Sequence, residues 1–570
     1  MRRACLLALA LCAALPGCPA ARATKQGTEV PQPQQPPQAP VVVALVVDQL
    51  AAWEAAERFE QLPKSGGFAR LRREGFYVPE MRYAHAVTET AAGHAALFTG
   101  TPPNRSGMYA NERIEPMTRT PIPALMDFET KAIGARGPTG QFSVSLKILE
   151  VDTVADVLRA RSPHATIVSI SLKDRGSVFG AGRHPDAALW YDRKDDAFVT
   201  STAFANAYPE WAARALESVA ALRDKPWTLL DPVFASSHAR QPDNQDGESD
   251  VFGFGRTFPH DFASARKPTV AFRASPRGDE ALFRLAAASL TTRKQGEPML
   301  LSLSLSSFDY VSHFWGPDSW EAWDELLRLD GALGEFFQLL DRTFGEAGWS
   351  AILSSDHGGP PLPELPDSAR PWCKPGAPPD HWERPCGLPE RLFPNEVDKE
   401  LRAEAKRVLG DGDWVLGVTS PYVFYTDTVA KLPADRRKAL DDALTHALLA
   451  HPGIERVYPS GGGPCPPEND ESIDALVCRS LSSKNPNALF VLAKKGSFFD
   501  TEYDIGKGQS HGGPYLFDRA VPMFVRMGGQ ARTGVHVQPA SYASYTRTLA
   551  SLLGVPAPAS ASPAEDFARR

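Results

Sequence analysis

The sequence predicts an α/β protein with a largely parallel central sheet. Apolar, β-branched runs such as residues 41–50 and 298–309 alternate with amphipathic helical patterns such as residues 319–344. Strands that are apolar at nearly every position are typical of a sheet covered by helices on both faces. The alternation itself favours parallel strands, and in such sheets functional residues collect at the carboxyl ends of the strands.

The remaining strands and helices follow from the same two patterns. Further strand patterns lie at residues 165–174, 350–359 and 519–529, and further helical patterns lie at residues 153–161 and 434–453. A chain of 570 residues is long enough for one large domain with insertions.

Two regions interrupt the alternation of strands and helices. Residues 180–270 are rich in aromatic residues, glycine and proline, and residues 360–510 carry four of the seven cysteines. We expect both regions to be insertions into a single domain that spans residues 41–555. Residues 556–570 are expected to form a flexible tail.

The amino terminus has the features of an export signal. Arg2 and Arg3 precede an apolar run at residues 4–15 that is too short to span a bilayer. Cleavage after the sequence ARA would remove residues 1–23, whereas the sequence LPGC resembles a lipobox that would place a lipid anchor on Cys18. Residues 24–40 are rich in proline and glutamine and are expected to form an extended linker. We therefore expect an exported bacterial protein, either periplasmic or tethered to the outer membrane.

The net charge and the cysteines indicate which partners and which disulfides to expect. The formal net charge of −7 gives no basic footprint, so we expect no nucleic-acid partner. Export favours disulfides between the four cysteines outside the signal region, and the sequential pairing Cys373–Cys386 and Cys465–Cys478 closes two short loops. Sequence alone allows three connectivities. The absence of a C-x-x-C spacing argues against a structural zinc site.

Acidic residues and histidines recur where predicted strands end. Mixed oxygen and nitrogen ligands suit zinc, and six ligands are more than one tetrahedral ion requires. The six residues are Asp48, Asp309, His313, Asp356, His357 and His511. The sequence therefore predicts two metal ions, which can together stabilise the attacking and leaving oxygens of a displacement.

A threonine-rich segment supplies candidate nucleophiles at Thr88, Thr90 and Thr99. Residues 90–100 read T-x-x-G-H-x-x-x-x-T-G, and they are followed by an asparagine, D-x-x-x-H, D-H-G and a late S-H-G. This set resembles the alkaline phosphatase superfamily. Within it, the sequence is similar to the type I phosphodiesterase/nucleotide pyrophosphatase branch, and most similar to the PafA-like alkaline phosphatases.

The resemblance implies an alkaline-phosphatase-like α/β/α sandwich with cap-like insertions and a role for each residue of the set. Thr90 matches the nucleophile, which also binds a metal, whereas His94 and Thr99 match positions without direct chemistry. The ligands of the first zinc match Asp48, Asp356 and His357, those of the second match Asp309, His313 and His511, and the phosphate-binding residues match Asn111, Lys173 and Arg175.

The resemblance implies an exported, zinc-dependent alkaline phosphatase with two Zn²⁺ per chain. It would hydrolyse small-molecule phosphate monoesters through a covalent phosphothreonine. The alternative is a phosphodiesterase or nucleotide pyrophosphatase, but Lys173 and Arg175 match a pair that marks the monoesterases and that diesterase relatives lack. A third alternative is a tethered binding protein that keeps the fold without activity. We expect a monomer, although the sequence leaves the oligomeric state open.

Overall fold

A twelve-stranded mixed sheet forms the centre of the structure. The structure, a computed structural model, describes residues 40–459, 464–481, 487–501, 504–529 and 532–569. The strands are β1 (Val41–Val47), β2 (Phe76–Arg82), β3 (Glu112–Ile114), β4 (Pro121–Pro123), β5 (Met126–Gly134), β6 (Gly137–Val144), β7 (Thr166–Ser171), β8 (Ala187–Asp192), β9 (Ala197–Ser201), β10 (Met299–Leu305), β11 (Ser350–Ser354), β12 (Arg391–Leu392), β13 (Val415–Thr419), β14 (Tyr422–Tyr425), β15 (Ile454–Pro459), β16 (Ala488–Ala493), β17 (Phe498–Phe499), β18 (Ala520–Arg526), β19 (Gly534–Val535) and β20 (Ala540–Ser541).

Helices connect most of these strands. They are α1 (Ala52–Arg58), α2 (Gly67–Glu74), α3 (Thr90–Thr99), α4 (Pro103–Ser106), α5 (Val154–Arg161), α6 (Asp174–Ala181), α7 (Glu210–Ala220), α8 (Pro232–His238), α9 (Pro268–Arg273), α10 (Pro276–Ser289), α11 (Ser307–Trp315), α12 (Trp320–Phe344), α13 (Pro394–Leu409), α14 (Ala434–Leu449), α15 (Ile473–Ser480), α16 (Leu516–Arg519) and α17 (Ala543–Leu552). None of the helices in the described ranges is long and apolar enough to cross a membrane.

The strand order of the central sheet is β19-β2-β18-β11-β1-β10-β7-β8-β9-β5-β6, and β20 pairs with β2. The five middle strands, from β11 to β8, are parallel, whereas β18 and the strands from β9 outward pair antiparallel with their neighbours. The predicted α/β class is confirmed. The parallel order holds in the middle of the sheet, and the sheet as a whole is mixed because hairpins and edge strands extend it on both sides.

Strand β1 lies in the middle of the sheet and is buried along its whole length. Its side chains alternate between two cores, one containing Val43 and Leu45 and the other containing Val42 and Ala44. Helix α12 packs into the first core and helix α17 into the second. Helices therefore cover both faces, as the continuous apolar pattern predicts.

The region at residues 360–510 contains a second, four-stranded antiparallel sheet in the order β13-β14-β16-β15. Helices α13 and α14 pack on it and form a separate apolar core. The predicted disulfide pairing is confirmed, since Cys373 bonds to Cys386 and Cys465 bonds to Cys478.

Two predicted boundaries are wrong. The region at residues 180–270 is not a separate insertion throughout, because its first strands, β8 and β9, pair with β7 and β5 and extend the central sheet. The predicted flexible tail packs against the main core: Phe567 is only 2% exposed and stacks on Phe76, with ring centroids 5.4 Å apart. The buried side chain of Phe567 contributes to holding this segment, together with the hydrogen bonds from Ser562 N to Gly100 O (2.8 Å) and from Phe567 N to Thr548 Oγ1 (3.0 Å). The predicted signal, the linker up to residue 39 and the anchor at Cys18 lie outside the described residues.

Candidate active site

The carboxyl ends of neighbouring parallel strands bring the candidate residues together at one edge of the sheet. Asp48 directly follows β1, Asp356 follows β11 after one residue, Lys173 follows β7 after one residue, and Asp309 lies in the first turn of α11 after β10. Because β11, β1, β10 and β7 are adjacent in the sheet, these four side chains are neighbours in space although they are far apart in sequence.

Lys173 lies between two aspartates in the interior of the site. Its Nζ is 2.7 Å from Asp48 Oδ2 and 2.6 Å from Asp309 Oδ2, and its side chain is almost entirely buried. Burial, together with the negative charges of Asp309 and Asp356, raises the pKa of the Asp48 carboxyl well above its ordinary value. Three buried carboxylates near a single ammonium leave an excess of negative charge, which attracts cations.

The segment after β11 places Asp356 and His357 beside Asp48. Asp356 Oδ1 accepts hydrogen bonds from the backbone N–H groups of Gln49 (3.3 Å) and His357 (3.1 Å), which fix its orientation. His357 Nε2 lies 3.4 Å from Asp48 Oδ1 and 3.5 Å from Asp356 Oδ2. His94 Nδ1 lies 3.0 Å from Asp356 Oδ2. All of these side chains are fully buried.

Helix α11 and a glycine-rich turn bring the remaining two histidines to the same centre. Asp309 and His313 are one helical turn apart, and His313 Nε2 lies 3.3 Å from Asp309 Oδ1. His511 Nε2 lies 3.8 Å from the same carboxylate oxygen. The ring of His511 also stacks on the ring of His357, with centroids 3.7 Å apart.

Backbone carbonyls orient the three histidines in the same way. Nδ1 of His313 donates to Gln509 O (2.8 Å), Nδ1 of His357 to Gly358 O (3.0 Å) and Nδ1 of His511 to Thr88 O (2.8 Å). A carbonyl oxygen can only accept, so each Nδ1 carries a proton, and in the neutral imidazole the lone pair is on Nε2, the atom that faces the carboxylates. Burial and the neighbouring imidazoles of His357 and His313 hold the pKa of His511 well below its ordinary value, which favours this neutral form.

The donor atoms fit divalent metal ions. Asp48 Oδ1, Asp309 Oδ1 and His357 Nε2 are buried and have no hydrogen-bond partner, whereas Asp48 Oδ2 faces Lys173 Nζ and Asp356 Oδ2 faces His94 Nδ1. Two groups of ligand atoms, each within 4.8 Å of one another, are Asp48, Asp356 and His357, and Asp309, His357 and His511. Carboxylate oxygens and imidazole nitrogens held by carbonyls are a donor set suited to zinc.

The first group has the three residues predicted for one zinc, whereas the second group differs from the predicted set in one residue. His357 lies close to both groups, because its ring stacks on the ring of His511. His313 stays beside the second group through Asp309.

Of the three candidate threonines, only Thr90 contacts Lys173, the buried ammonium of the site. It is the first residue of α3, and its Oγ1 accepts a hydrogen bond from Lys173 Nζ at 3.2 Å. Thr88 Oγ1 donates to Gly513 O (2.9 Å) and Thr99 Oγ1 donates to Ala95 O (2.6 Å), so both are occupied by structural bonds. The N-terminus of α3 carries a partial positive charge and exposed N–H groups, which favours an anion at Thr90.

Asn111 and Arg175 lie beside the start of α3. Asn111 Oδ1 accepts a hydrogen bond from Ala91 N at 2.9 Å, which orients the amide toward the helix N-terminus. Arg175 is in the first turn of α6, its side chain is 28% exposed, and its charge acts on the buried Glu89. The structure thus brings together all ten residues predicted for the site. His94, predicted to have no direct chemistry, bonds to Thr90 O and Ser304 Oγ, each at 2.9 Å.

Sequence reasoning missed two buried acidic residues, Asp279 and Glu89. Asp279 Oδ1 accepts from Ser306 N (3.0 Å) and Ser307 N (3.2 Å), and α11 has no side-chain cap of its own. Asp279 therefore caps the helix that carries Asp309. It belongs to no motif, so no sequence signal identified it. Glu89 directly precedes Thr90, and this position alone could have identified it.

Comparisons with known proteins agree with this geometry. Residues 42–372 match the family model described as type I phosphodiesterase/nucleotide pyrophosphatase. Alkaline phosphatase PhoV of Synechococcus elongatus is 32% identical over 61% of this chain and 64% of the relative, so the match spans just under two thirds of that protein. Alkaline phosphatase PafA of Elizabethkingia meningoseptica is 28% identical over 92% of this chain and 93% of the relative.

A solved structure of similar architecture exists. The crystal structure of wild-type alkaline phosphatase PafA superposes with a TM-score of 0.78 and 24% identity, covering 93% of this chain and 98% of the other. The central sheet, the helices on both faces and the inserted region therefore belong to a known architecture.

The cap that Asp279 places on α11 gives a testable prediction. Burial raises the pKa of Asp279 to about 7, and the two N–H groups it satisfies are buried. Asp279→Ala would leave both donors unpaired at about 1–3 kcal/mol each. We expect a lower melting temperature and a lower content of bound metal, whereas Asp279→Asn, which keeps an acceptor oxygen, should retain most of both. An alanine variant with the melting temperature and metal content of the wild type would contradict this role.

Proposed function

Because the chain belongs to the type I phosphodiesterase/nucleotide pyrophosphatase family, we propose that it is an exported, zinc-dependent alkaline phosphatase that hydrolyses phosphate monoesters. The observation that carries the proposal is the contact between Lys173 Nζ and Thr90 Oγ1 at the N-terminus of α3, with Asn111 and Arg175 beside it. The relatives reported above are alkaline phosphatases by name, which supports the same activity.

The reaction we propose begins with Thr90. Its Oγ gives up its proton and attacks phosphorus, the bond from phosphorus to the leaving oxygen breaks, and the leaving oxygen takes up a proton, so that the leaving group departs as an alcohol. Water then attacks phosphorus, and the bond to Thr90 Oγ breaks, releasing inorganic phosphate and the threonine hydroxyl. Splitting the reaction in this way is nucleophilic catalysis, which requires an activated hydroxyl.

We assign one zinc ion to Asp48, Asp356 and His357, with Thr90 beside it, and a second to Asp309 and His511, with His313 or His357 completing the set. When bound, the two ions supply Lewis-acid stabilisation to the attacking and leaving oxygens. The three imidazoles are already oriented for this task, because each Nδ1 is bonded to a backbone carbonyl and each Nε2 faces inward.

The cationic side chains provide the counter-charge that a monoester dianion requires. Lys173 lies beside Thr90 Oγ1, so a phosphoryl group on that oxygen would have the ammonium next to it. Arg175 can bond two phosphoryl oxygens with its planar fork, and Asn111 donates one further hydrogen bond. Phosphoryl transfer depends on such positioning and charge stabilisation.

A phosphodiesterase is the alternative, since the family model carries that description. A diester has one less negative charge and an organic group where a monoester has a free oxygen. It would gain less from the two cations, so the presence of Lys173 and Arg175 favours monoesters.

The two disulfides support export, because disulfides persist in oxidising compartments. We propose that the protein works in the periplasm or tethered to the outer membrane, with Cys18 as the residue that a lipid anchor would use.

The two-metal assignment predicts a stoichiometry of two zinc ions per active chain. Chelation should abolish turnover, because it removes the Lewis acids assigned to the attacking and leaving oxygens, and added zinc should restore it. The measurement is metal analysis of the active protein alongside activity after chelation and reconstitution. One ion per active chain, or full activity with magnesium alone, would contradict the assignment.

The proposed activity is tested by the variant in which Lys173 and Arg175 are both replaced by alanine. Charge-assisted hydrogen bonds are worth about 1.5–3 kcal/mol each, and about 1.4 kcal/mol is tenfold in rate. We therefore expect kcat/KM for an aryl phosphate to fall about a hundredfold to ten-thousandfold. Hydrolysis of the matching methyl diester should change far less. An equal loss on the two substrates, or a wild type that prefers the diester, would contradict a monoesterase.

A further inference from the structure

Glu89 is a buried acidic residue to which the proposed mechanism gives no role. It immediately precedes Thr90, forms the N-cap position of α3 and is only 5% exposed. Its backbone carbonyl accepts the hydrogen bond from Gly93 N at 2.9 Å, as an N-cap carbonyl does. Its side chain does not cap its own helix, so the carboxylate is available for other contacts.

The first of these contacts joins Glu89 to Asn111. Glu89 Oε2 accepts a hydrogen bond from Asn111 N at 2.8 Å, while Asn111 Oδ1 accepts one from Ala91 N at 2.9 Å. The two bonds hold the backbone and the side chain of Asn111 against the first turn of α3. Since the Asn111 oxygen faces Ala91, its NH₂ group is directed elsewhere with a fixed orientation.

The second contact joins Glu89 to the inserted sheet. The Ser420 side chain, in the turn between β13 and β14, lies beside the Glu89 side chain and acts to lower the pKa of its carboxyl, against the larger effect of burial. Gly512, which follows His511, has φ +119°, and a Cβ at this position would lie 3.7 Å from Glu89 Cγ and 3.9 Å from Ser420 Oγ. The turn of the insertion and the segment that carries His511 therefore meet at Glu89.

The third interaction is electrostatic. Burial raises the pKa of Glu89 to about 7, and the positive charge of Arg175 acts against this rise by stabilising the carboxylate. Glu89 is almost fully removed from water, so this attraction is screened far less than one between exposed charges. The carboxylate thus acts on the guanidinium that we assign to the phosphoryl oxygens.

We propose that Glu89 is a positioning residue that sets the preference for phosphate monoesters, by holding Asn111 through its backbone N–H and Arg175 through its charge. This inference rests on the proposed function. It also gives the inserted sheet a role in specificity, because Ser420 of its β13–β14 turn and Gly512 both lie beside Glu89. Glu89 itself touches neither the ester nor the reacting oxygen.

The experiment compares Glu89→Ala and Glu89→Gln with the wild type on an aryl phosphate and on its methyl diester. Glu89→Ala removes both the acceptor and the charge, so kcat/KM for the monoester should fall about ten- to a hundredfold, with a much smaller change for the diester. Glu89→Gln keeps an acceptor for Asn111 N–H and loses the charge, so it should recover part of the loss. Metal content should equal that of the wild type in both variants.

Double variants separate positioning from general destabilisation. If Glu89 acts through Asn111, Glu89→Ala should cost less than about threefold when Asn111 is already alanine, since coupled residues are not additive. Likewise, Arg175→Ala should cost less in the Glu89→Gln background than in the wild type. If Glu89→Ala does not fold, the effect of Arg175→Ala in the Glu89→Gln background and in the wild type tests the inference instead.

A matched control is Asp330→Asn. Asp330 is 1% exposed, and its Oδ1 accepts a backbone hydrogen bond from Phe68 N at 2.8 Å, so it resembles Glu89 in burial and bonding. The Asp330→Asn variant should have a lower melting temperature than the wild type and an unchanged ratio of monoester to diester hydrolysis.

Two outcomes would overturn the inference. If Glu89→Ala loses equally on both substrates, or is fully additive with Asn111→Ala and with Arg175→Ala, the positioning role of Glu89 is wrong. The proposed function is untouched by that result as long as the wild type is a monoesterase. A wild type that hydrolyses only the diester would overturn the proposed function, and the inference with it.

Discussion

The physical constraint on which the site depends is the burial of three carboxylates at one edge of the sheet. Asp48, Asp309 and Asp356 are almost fully excluded from water, and one buried ammonium, Lys173, contacts the first two. Burying charge is unfavourable unless it is paired and hydrogen-bonded. The unpaired oxygens and the inward-facing imidazole nitrogens therefore attract divalent cations strongly. A chain that merely needed stability would not bury so much like charge in one place.

The fold provides this arrangement through parallel strand order. The strands β11, β1, β10 and β7 end at the same edge, so each contributes one polar residue without a long loop. The inserted sheet adds a second layer of support, because Ser420 and the segment around Gly512 both lie beside Glu89. The catalytic residues thus lie on rigid elements, while the surrounding turns restrict their orientation.

The sequence predicted the α/β class, the strands that end in Asp48, Asp309 and Asp356, and the disulfide pairs, because each is marked by local pattern or spacing. It did not predict that β8 and β9 extend the sheet, since their aromatic composition does not show which strand they pair with. The packing of Phe567 was missed because one large apolar side chain among alanine, proline and serine gives no periodicity. Asp279 was missed for a related reason: its partners, Ser306 and Ser307, are 27 and 28 residues away. The position of His357 beside both ligand groups depends on the stacking of its ring on His511, which no sequence motif encodes.

The most direct test of the account is to trap the covalent intermediate. Acid quenching of the enzyme during turnover of a phosphate monoester, followed by peptide mass spectrometry, should find a phosphoryl group on Thr90. The same experiment on Thr90→Ala should find none. Phosphorylation of Thr88 or of another residue, or turnover without any phosphoenzyme in a Thr90→Ala variant that keeps wild-type activity, would contradict the assignment of Thr90 as the nucleophile.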